Sequence, residues 1–239
     1  MRLCLVIPAY NAAATLPGVL RRIEVAPPPG LHHVVIVDDG SHDDTAAVAR
    51  GLAATRAAGV SVVVRPQNGG YGAAMKAGLA QARLLGADHA ASIHADGQYG
   101  PEALGELLNV LAVRGLDLLQ GSRIAGGGAL AGGMPLYKYA GNWLLNQLER
   151  RVFALPLSDF HSGYLVYGPL ALQQLPFTRL SDSFDFDMEV IAAARARGLQ
   201  VGEAGIPTHY GDEVSYLNPL SYGLRVLRVM WRFKMGVYE

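Results

Sequence analysis

Short uninterrupted apolar runs alternate along the chain with longer segments in which apolar residues recur at spacings of three and four. The runs are Leu3–Ile7, Val34–Val37, Val60–Val64, Ala90–His94 and Leu116–Gln120. Each has strand length and little polar alternation, which predicts strands covered on both faces. Between them, Leu16–Val25, Thr45–Ala58, Gly72–Leu85 and Pro101–Arg114 are rich in Ala and Leu and carry the helical period. Pro101 suits a helix's first turn, and Ser41-His42-Asp43-Asp44 supplies capping oxygens ahead of the second helix. This strand–helix alternation predicts an α/β domain built on a mainly parallel sheet with helices on both faces.

The alternation breaks after Arg123. Residues Ala125–Gly133 contain five glycines in nine, which predicts a linker or a mobile active-site loop. Beyond it the pattern predicts a helix over Tyr137–Phe153, a strand over Gly163–Tyr167 and a helix over about Asp187–Arg197. A strand over Gln200–Ile206 and a last helix over about Pro219–Met235 complete the chain.

Composition removes several classes. At 51% hydrophobic and 17% charged, with 29 glycines in 239 residues, the chain is more apolar and glycine-rich than the usual roughly 25% charged and about 7% glycine. The glycines follow no triplet period, so collagen-like and disordered chains are out. Twenty Lys and Arg against twenty Asp and Glu leave no field for a polyanion, and no nucleic-acid partner is expected. The lone Cys4 cannot staple the fold and suits a reducing compartment. Leu3–Ile7 is shorter than a signal peptide's apolar core of about 7 to 15 residues. A buried first strand is therefore expected. No run approaches the roughly 18 apolar residues of a membrane span, and a cytoplasmic protein is expected.

In a parallel α/β sheet, ligands bind beyond the carboxyl ends of the strands. There the sequence places Pro8-Ala9-Tyr10-Asn11, Asp38-Asp39-Gly40-Ser41, Asn68-Gly69-Gly70-Tyr71-Gly72 and His94-Ala95-Asp96-Gly97-Gln98. No G-x-G-x-x-G follows the first strand and no P-loop occurs, which disfavours dehydrogenases and P-loop enzymes. Asp38 and Asp39, as ionised acceptors, suit a nucleoside's hydroxyls and imide; a solvated turn capping the next helix is the plain alternative. If the extended conformation continues past the fourth strand, His94, Asp96 and Gln98 emerge on one face, where they could grip a cation that neutralises a diphosphate. An ordinary turn is the alternative.

Together, Val6-Ile7-Pro8-Ala9-Tyr10-Asn11, Val35-Ile36-Val37-Asp38-Asp39-Gly40-Ser41, the Asn68–Gly72 turn and Ala95-Asp96-Gly97-Gln98-Tyr99 resemble the motifs of the family 2 inverting glycosyltransferases of GT-A fold. Gly121-Ser122-Arg123 and Asp159-Phe160-His161-Ser162-Gly163-Tyr164 look like the dolichol-phosphate mannose synthase branch, and the resemblance spans about residues 2–210. It implies a Rossmann-like GT-A domain over 1–212, with a nucleotide-sugar half (1–123) and an acceptor half (134–212), followed by a C-terminal amphipathic helical extension (213–239). Pro8, Ala9, Tyr10, Asn11, Asp38, Asp39, Gly40, Ser41 and Asn68 would surround the nucleotide. Asp96 would be the D-x-D carboxylate that meets metal and diphosphate. His94 replaces the motif's first Asp; its imidazole can ligate a metal without adding charge. The implied cofactor is a divalent metal, Mn2+ or Mg2+, held by Asp96, His94 and Gln98, with Mn2+ favoured. Ala12 and Leu165 depart from the family's frequent acid and Arg.

Inverting transfer needs in-line attack and, for a hydroxyl acceptor, a general base. Asp187 is the first candidate and Asp159 the second, although an acid in a helix's first turn also serves the macrodipole. Arg123 and Lys138 could hold a diphosphate or acceptor phosphate, whereas His161 and His209 are expected to be structural hydrogen-bonders. Arg225, Arg228, Arg232 and Lys234 among Leu224, Leu227, Trp231 and Phe233 suit either peripheral membrane contact or packing against the domain or a twin subunit, the latter favoured. The implied reaction moves a sugar from a UDP, GDP or dTDP sugar to a lipid phosphate or a small glycan or natural product. A non-catalytic nucleotide-sugar-binding scaffold is the alternative that His94 and Ala12 raise.

Overall fold

The computed structural model describes residues 1–55, 59–125, 136–207 and 219–239, with backbone alone at 136–140 and 219–220. Seven strands, β1 (Leu3–Ala9), β2 (Leu31–Asp38), β3 (Gly59–Val64), β4 (His89–Ser92), β5 (Leu118–Ser122), β6 (Leu165–Tyr167) and β7 (Val201–Gly205), form one sheet in the order β3-β2-β1-β4-β6-β5-β7. The helices are α1 (Leu16–Val25), α2 (Thr45–Ala54), α3 (Tyr71–Leu84), α4 (Leu104–Val113), α5 (Leu136–Phe153), α6 (Pro169–Gln174), α7 (Phe186–Ala196) and α8 (Pro219–Lys234).

Alternation along β1 explains its unbroken apolar sequence. Cys4 and Val6 enter one core with Met75 of α3, Phe153 of α5 and Val190 of α7, while Leu3, Leu5 and Ile7 enter a second core with Leu20 of α1 and Leu107 of α4. Both faces are dry, so neither offers charged residues a place. Burial pushes the Cys4 thiol up to about 12, leaving it a small inert hydrophobe. Helix α3 lies against β1 because Gly78 has no side chain; a Cβ there would run into Val6.

Several boundaries differ from the sequence pattern. β4 ends at Ser92 rather than His94, α2 ends at Ala54, and Pro101–Arg114 divides into a 3-10 turn (Pro101–Ala103) and α4. β6 is antiparallel to both β4 and β5, a reversal that its three apolar residues could not announce. The glycine-rich 126–133 lies outside the described residues. The last helix is no appended extension: Val226, Val229 and Met230 are buried in the first core, and Phe233 meets Phe153 edge-on at 4.9 Å.

Candidate active site

From β1 the chain winds outward to β2 and β3 on one side, whereas β4 lies on the other. This reversal opens a crevice at the carboxyl ends of β1 and β4. A cavity of about 950 Å³ occupies it.

One wall is a zipped pair of strand tips. The Asn11 N–H donates to Ser41 Oγ at 2.9 Å, its Oδ1 accepts the His42 N–H at 2.9 Å, and the Ala12 N–H donates to Thr45 Oγ1 at 2.8 Å. Asp39 accepts the Gly70 N–H at 2.8 Å, the Gly69 N–H at 3.2 Å and the Arg65 guanidinium, which fixes the Asn68–Gly72 turn beside it. Pro8, Ala9, Tyr10, Asn11, Asp39, Asn68, His94, Asp96, Gln98, Arg123 and Asp187 all line the cavity. Asp38, Gly40, Ser41 and Asp159 do not. Asp38 is 2% exposed and accepts the Ser41 N–H at 3.2 Å. Gly40 has a φ of +66° and presses on the Gln67–Asn68 backbone. These three brace the wall.

The expected row of His94, Asp96 and Gln98 on one strand face does not form, because a turn follows β4. Gly97, with φ +76°, donates to the His94 carbonyl at 3.3 Å, and Asp96 Oδ1 accepts the Gln98 N–H at 2.9 Å. Asp96 is exposed at the mouth, while His94 sits deeper, edge-on to Tyr71 at 5.6 Å and to Tyr99 at 5.2 Å. Burial lowers the His94 pKa, against an opposing pull from Asp96, and its buried Nε2 has no hydrogen-bond partner among the described residues. No group of three or more His, Cys, Asp or Glu is arranged among the described residues so as to hold a metal ion by itself. An exposed carboxylate and an orphaned imidazole nitrogen fit a cation that takes its remaining ligands from a bound diphosphate and water, as hard divalent cations commonly do.

The acidic cluster Asp185-Phe186-Asp187-Met188-Glu189 divides by helical geometry. Residues four apart share a face and the one between them faces away. Asp185 meets Arg225 at 3.4 Å, and Glu189 pairs with Arg232 and accepts the Tyr238 hydroxyl at 2.6 Å, so both turn toward α8. Asp187 turns to the cavity. Burial pushes its carboxyl up to about 7, partly offset by the Tyr71 hydroxyl, and Oδ1 has no partner among the described residues. Gly163 (φ +73°) lies where a Cβ would come within 2.8 Å of His94 Nε2 and 3.4 Å of Asp187 Oδ2. Imidazole and carboxylate thus converge on a position that only glycine leaves open.

Asp159 is corrected as a base. It is fully buried and grips Arg123 through two bonds, to Nε at 2.7 Å and to the terminal nitrogen at 2.8 Å, while accepting the His161 N–H at 3.0 Å. Burial alone would raise its carboxyl, but Arg123 and then His161 bring it below the ordinary range. Arg123 is accordingly committed to Asp159, with one edge on the cavity. The far wall also holds residues the sequence did not single out: Phe184 stacked on Tyr71 at 6.1 Å, and Tyr222 from α8. Nothing local marked Tyr222, which reaches the site only because α8 docks. His209 and the Lys138 side chain lie outside the described residues.

Residues 4–174 match Glycosyl transferase family 2. The polyprenol monophosphomannose synthase of Mycolicibacterium smegmatis is 31% identical over 206 residues, covering 86% of this chain and 76% of that protein. A UDP-N-acetylglucosamine–dolichyl-phosphate N-acetylglucosaminyltransferase of Methanococcus voltae is 26% identical, covering 97% of this chain and 96% of its own. In fold, the chain is similar to glucosyl-3-phosphoglycerate synthase from Mycobacterium tuberculosis, solved with Mn2+, UDP and phosphoglyceric acid. That likeness has a TM-score of 0.66 at 18% identity, over 99% of this chain and 78% of that one.

Proposed function

Because the chain belongs to glycosyl transferase family 2, we propose that it transfers a hexosyl group, with inversion, from a nucleoside-diphosphate sugar to the phosphate of a polyprenyl phosphate. The observation that carries an active enzyme over a binding scaffold is Asp187. A buried carboxyl that faces a cavity, with a pKa near 7 and one oxygen, Oδ1, without a partner among the described residues, costs stability and is poised for proton transfer. Tyr10, Asn68 and the Asp39 wall receive the nucleoside. Asp96, with His94 behind it, would hold Mn2+ or Mg2+, which when bound supplies positive charge to the leaving diphosphate. Asp187 takes the acceptor's proton. A phosphate monoester entering beside Asp96 and Asp187 binds more readily as the monoanion, and so still has one to lose.

A lipid acceptor is supported by the outer faces of α5 and α8, which pack against each other. Both of the chain's tryptophans are exposed there, Trp143 at 53% and Trp231 at 62%, with Leu144, Leu148, Leu224, Leu227 and Met235. Helix α8 contains no acid and four basic residues. Arg225 and Arg232 are tied to α7, but Arg228 and Lys234 have no ion-pair partner among the described residues. An apolar strip with interfacial tryptophans and basic flanks suits an anionic bilayer surface. No described helix is long and apolar enough to cross a membrane, and the proposed contact is with the bilayer surface. Wild-type protein is expected to sediment with anionic vesicles, and Arg228→Glu with Trp231→Ser to weaken binding at least about tenfold, at roughly 1 kcal/mol per basic residue. Wild-type protein left in the supernatant would refute the surface.

The reaction itself is tested by incubating the protein with Mn2+, polyprenyl phosphate and UDP, GDP or dTDP hexoses, and identifying glycosyl phosphopolyprenol by mass spectrometry. Excess chelator should abolish the product. Transfer to sugar hydroxyls alone would overturn the acceptor, and donor binding without turnover of any donor would favour the scaffold.

A further inference from the structure

Behind the cavity lies a buried chain of side chains that the transfer reaction has not yet used. Glu149 of α5 is fully buried, and neither carboxylate oxygen has a hydrogen bond among the described residues. Its neighbour is His161, whose Nε2 lies 3.1 Å from Glu149 Oε2 at an angle too bent for a good hydrogen bond. The other ring nitrogen, Nδ1, is 2.8 Å from the Tyr222 hydroxyl, with the rings edge-on at 5.5 Å. His161 and Tyr222 both line the cavity; Glu149 does not. The three come from α5, the loop before β6 and the first turn of α8.

A carboxylate sealed from water is costly unless a cation faces it, and His161 is the side chain in place to provide one. A doubly protonated imidazole has two donors and no acceptor. Nε2–H then faces the Glu149 carboxylate as an ion pair at 3.1 Å, and Nδ1–H serves the Tyr222 oxygen. The tyrosine's own proton is left over, and because Tyr222 lines the cavity that proton can point into it. Burial, then Glu149 and Asp187, raises the Tyr222 pKa, so the phenol keeps that proton. With a neutral His161 the order reverses: Nδ1 accepts the phenol proton, and Tyr222 shows the cavity lone pairs only.

We infer that Glu149, His161 and Tyr222 form a donor relay whose exposed end, the Tyr222 hydroxyl, binds a phosphate-monoester oxygen of the acceptor. Charge-assisted hydrogen bonds of this kind are stronger than neutral ones, and a hydroxyl acceptor would gain less from the same donor. The placement on α8 fits, since the opposite face of that helix carries the apolar and basic strip from which a lipid phosphate would arrive. Tyr222 acts as a binding residue, and Glu149 and His161 act through it as positioning residues. The inference rests on the proposed phosphate acceptor.

The test is steady-state kinetics of the full chain, wild type against Tyr222→Phe and Glu149→Gln, with polyprenyl phosphate and a short soluble alkyl phosphate as acceptors. Tyr222→Phe removes one oxygen and is expected to raise the KM for both acceptors about ten- to a hundredfold, the worth of a hydrogen bond to a charged group. Donor KM should stay within about twofold. Glu149→Gln should give the same split, and in 15N-histidine spectra His161 should pass from two protonated ring nitrogens to one. An acceptor KM unchanged by Tyr222→Phe, or donor and acceptor KM rising together, overturns the relay while leaving the reaction standing. Wild-type protein that glycosylates hydroxyls and ignores both phosphates overturns the acceptor assignment, and the relay with it.

Discussion

Asp187→Asn is expected to lower turnover at least about a hundredfold while making the protein harder to unfold above pH 7. The first effect follows from position: Asp187 is the member of its acidic cluster that faces the cavity, and removing a general base costs about 10²- to 10⁴-fold. The second follows from burial. The carboxyl, near 3.8 when solvated, rises to about 7 in the folded protein. Between those values the folded state holds the proton more often than the unfolded state does. Stability therefore falls as pH rises through that window, and above it the full penalty remains. A shift of this size corresponds to at most about 4.5 kcal/mol, at about 1.4 kcal/mol per unit. Asn cannot ionise, so the variant should match wild type near pH 4 and exceed it in Tm near pH 8, less whatever its amide leaves unbonded. Nucleotide-sugar binding, measured separately, should persist, because the nucleoside wall is built from β1 and β2. The acid limb of the wild-type pH–rate profile, near pH 7, should vanish. Turnover within tenfold of wild type would remove Asp187 as the base, and a lower Tm at pH 8 would contradict the burial argument.

The sheet was legible because its strands are buried on both faces and read as unbroken apolar runs, and the cavity's donor side because strand-end residues follow those runs directly. What escaped the sequence depends on residues meeting from a distance. Asp38 and Asp39 are adjacent and chemically identical, yet only Asp39 lines the cavity; the other caps its own turn. His94 was placed on a strand that ends two residues earlier, and the turn after Ser92 separates it in depth from Asp96. Asp185, Asp187 and Glu189 share one short acidic run from which the sequence offered Asp187, and the helix shows why they part, two onto the arginines of α8 and Asp187 into the site. Tyr222 and Glu149 carried no local signal, since each gains a role only through His161.

Arg123→Met is expected to destabilise the fold by about 3–5 kcal/mol, with the loss greatest at neutral pH. The substitution keeps most of the side chain's volume and removes its charge. Asp159 would then be a fully buried carboxylate stripped of its two guanidinium bonds, left with the His161 N–H and a weak contact to residue 123's own N–H at 3.3 Å. Breaking a buried pair from one side costs this much because the surviving charge is uncompensated, and in a chain of this length it should lower Tm by roughly 6–20 °C. The pH dependence has a definite sign. In the wild type, Asp159 sits below its ordinary pKa despite burial, so its contribution is present above about pH 4 and is lost as pH falls through the depressed folded value. In Arg123→Met, burial acts unopposed by the guanidinium and the folded pKa rises. The two proteins should therefore differ most near pH 7 and converge in acid, where Asp159 is protonated in both. Asp159→Asn combined with Arg123→Met should recover a substantial part of the loss, since no buried charge remains. If thermal melts at pH 4 and pH 7 give the same difference, or if the double variant is no better than Arg123→Met, Arg123 contributes through packing or through the mouth of the cavity and not through its charge.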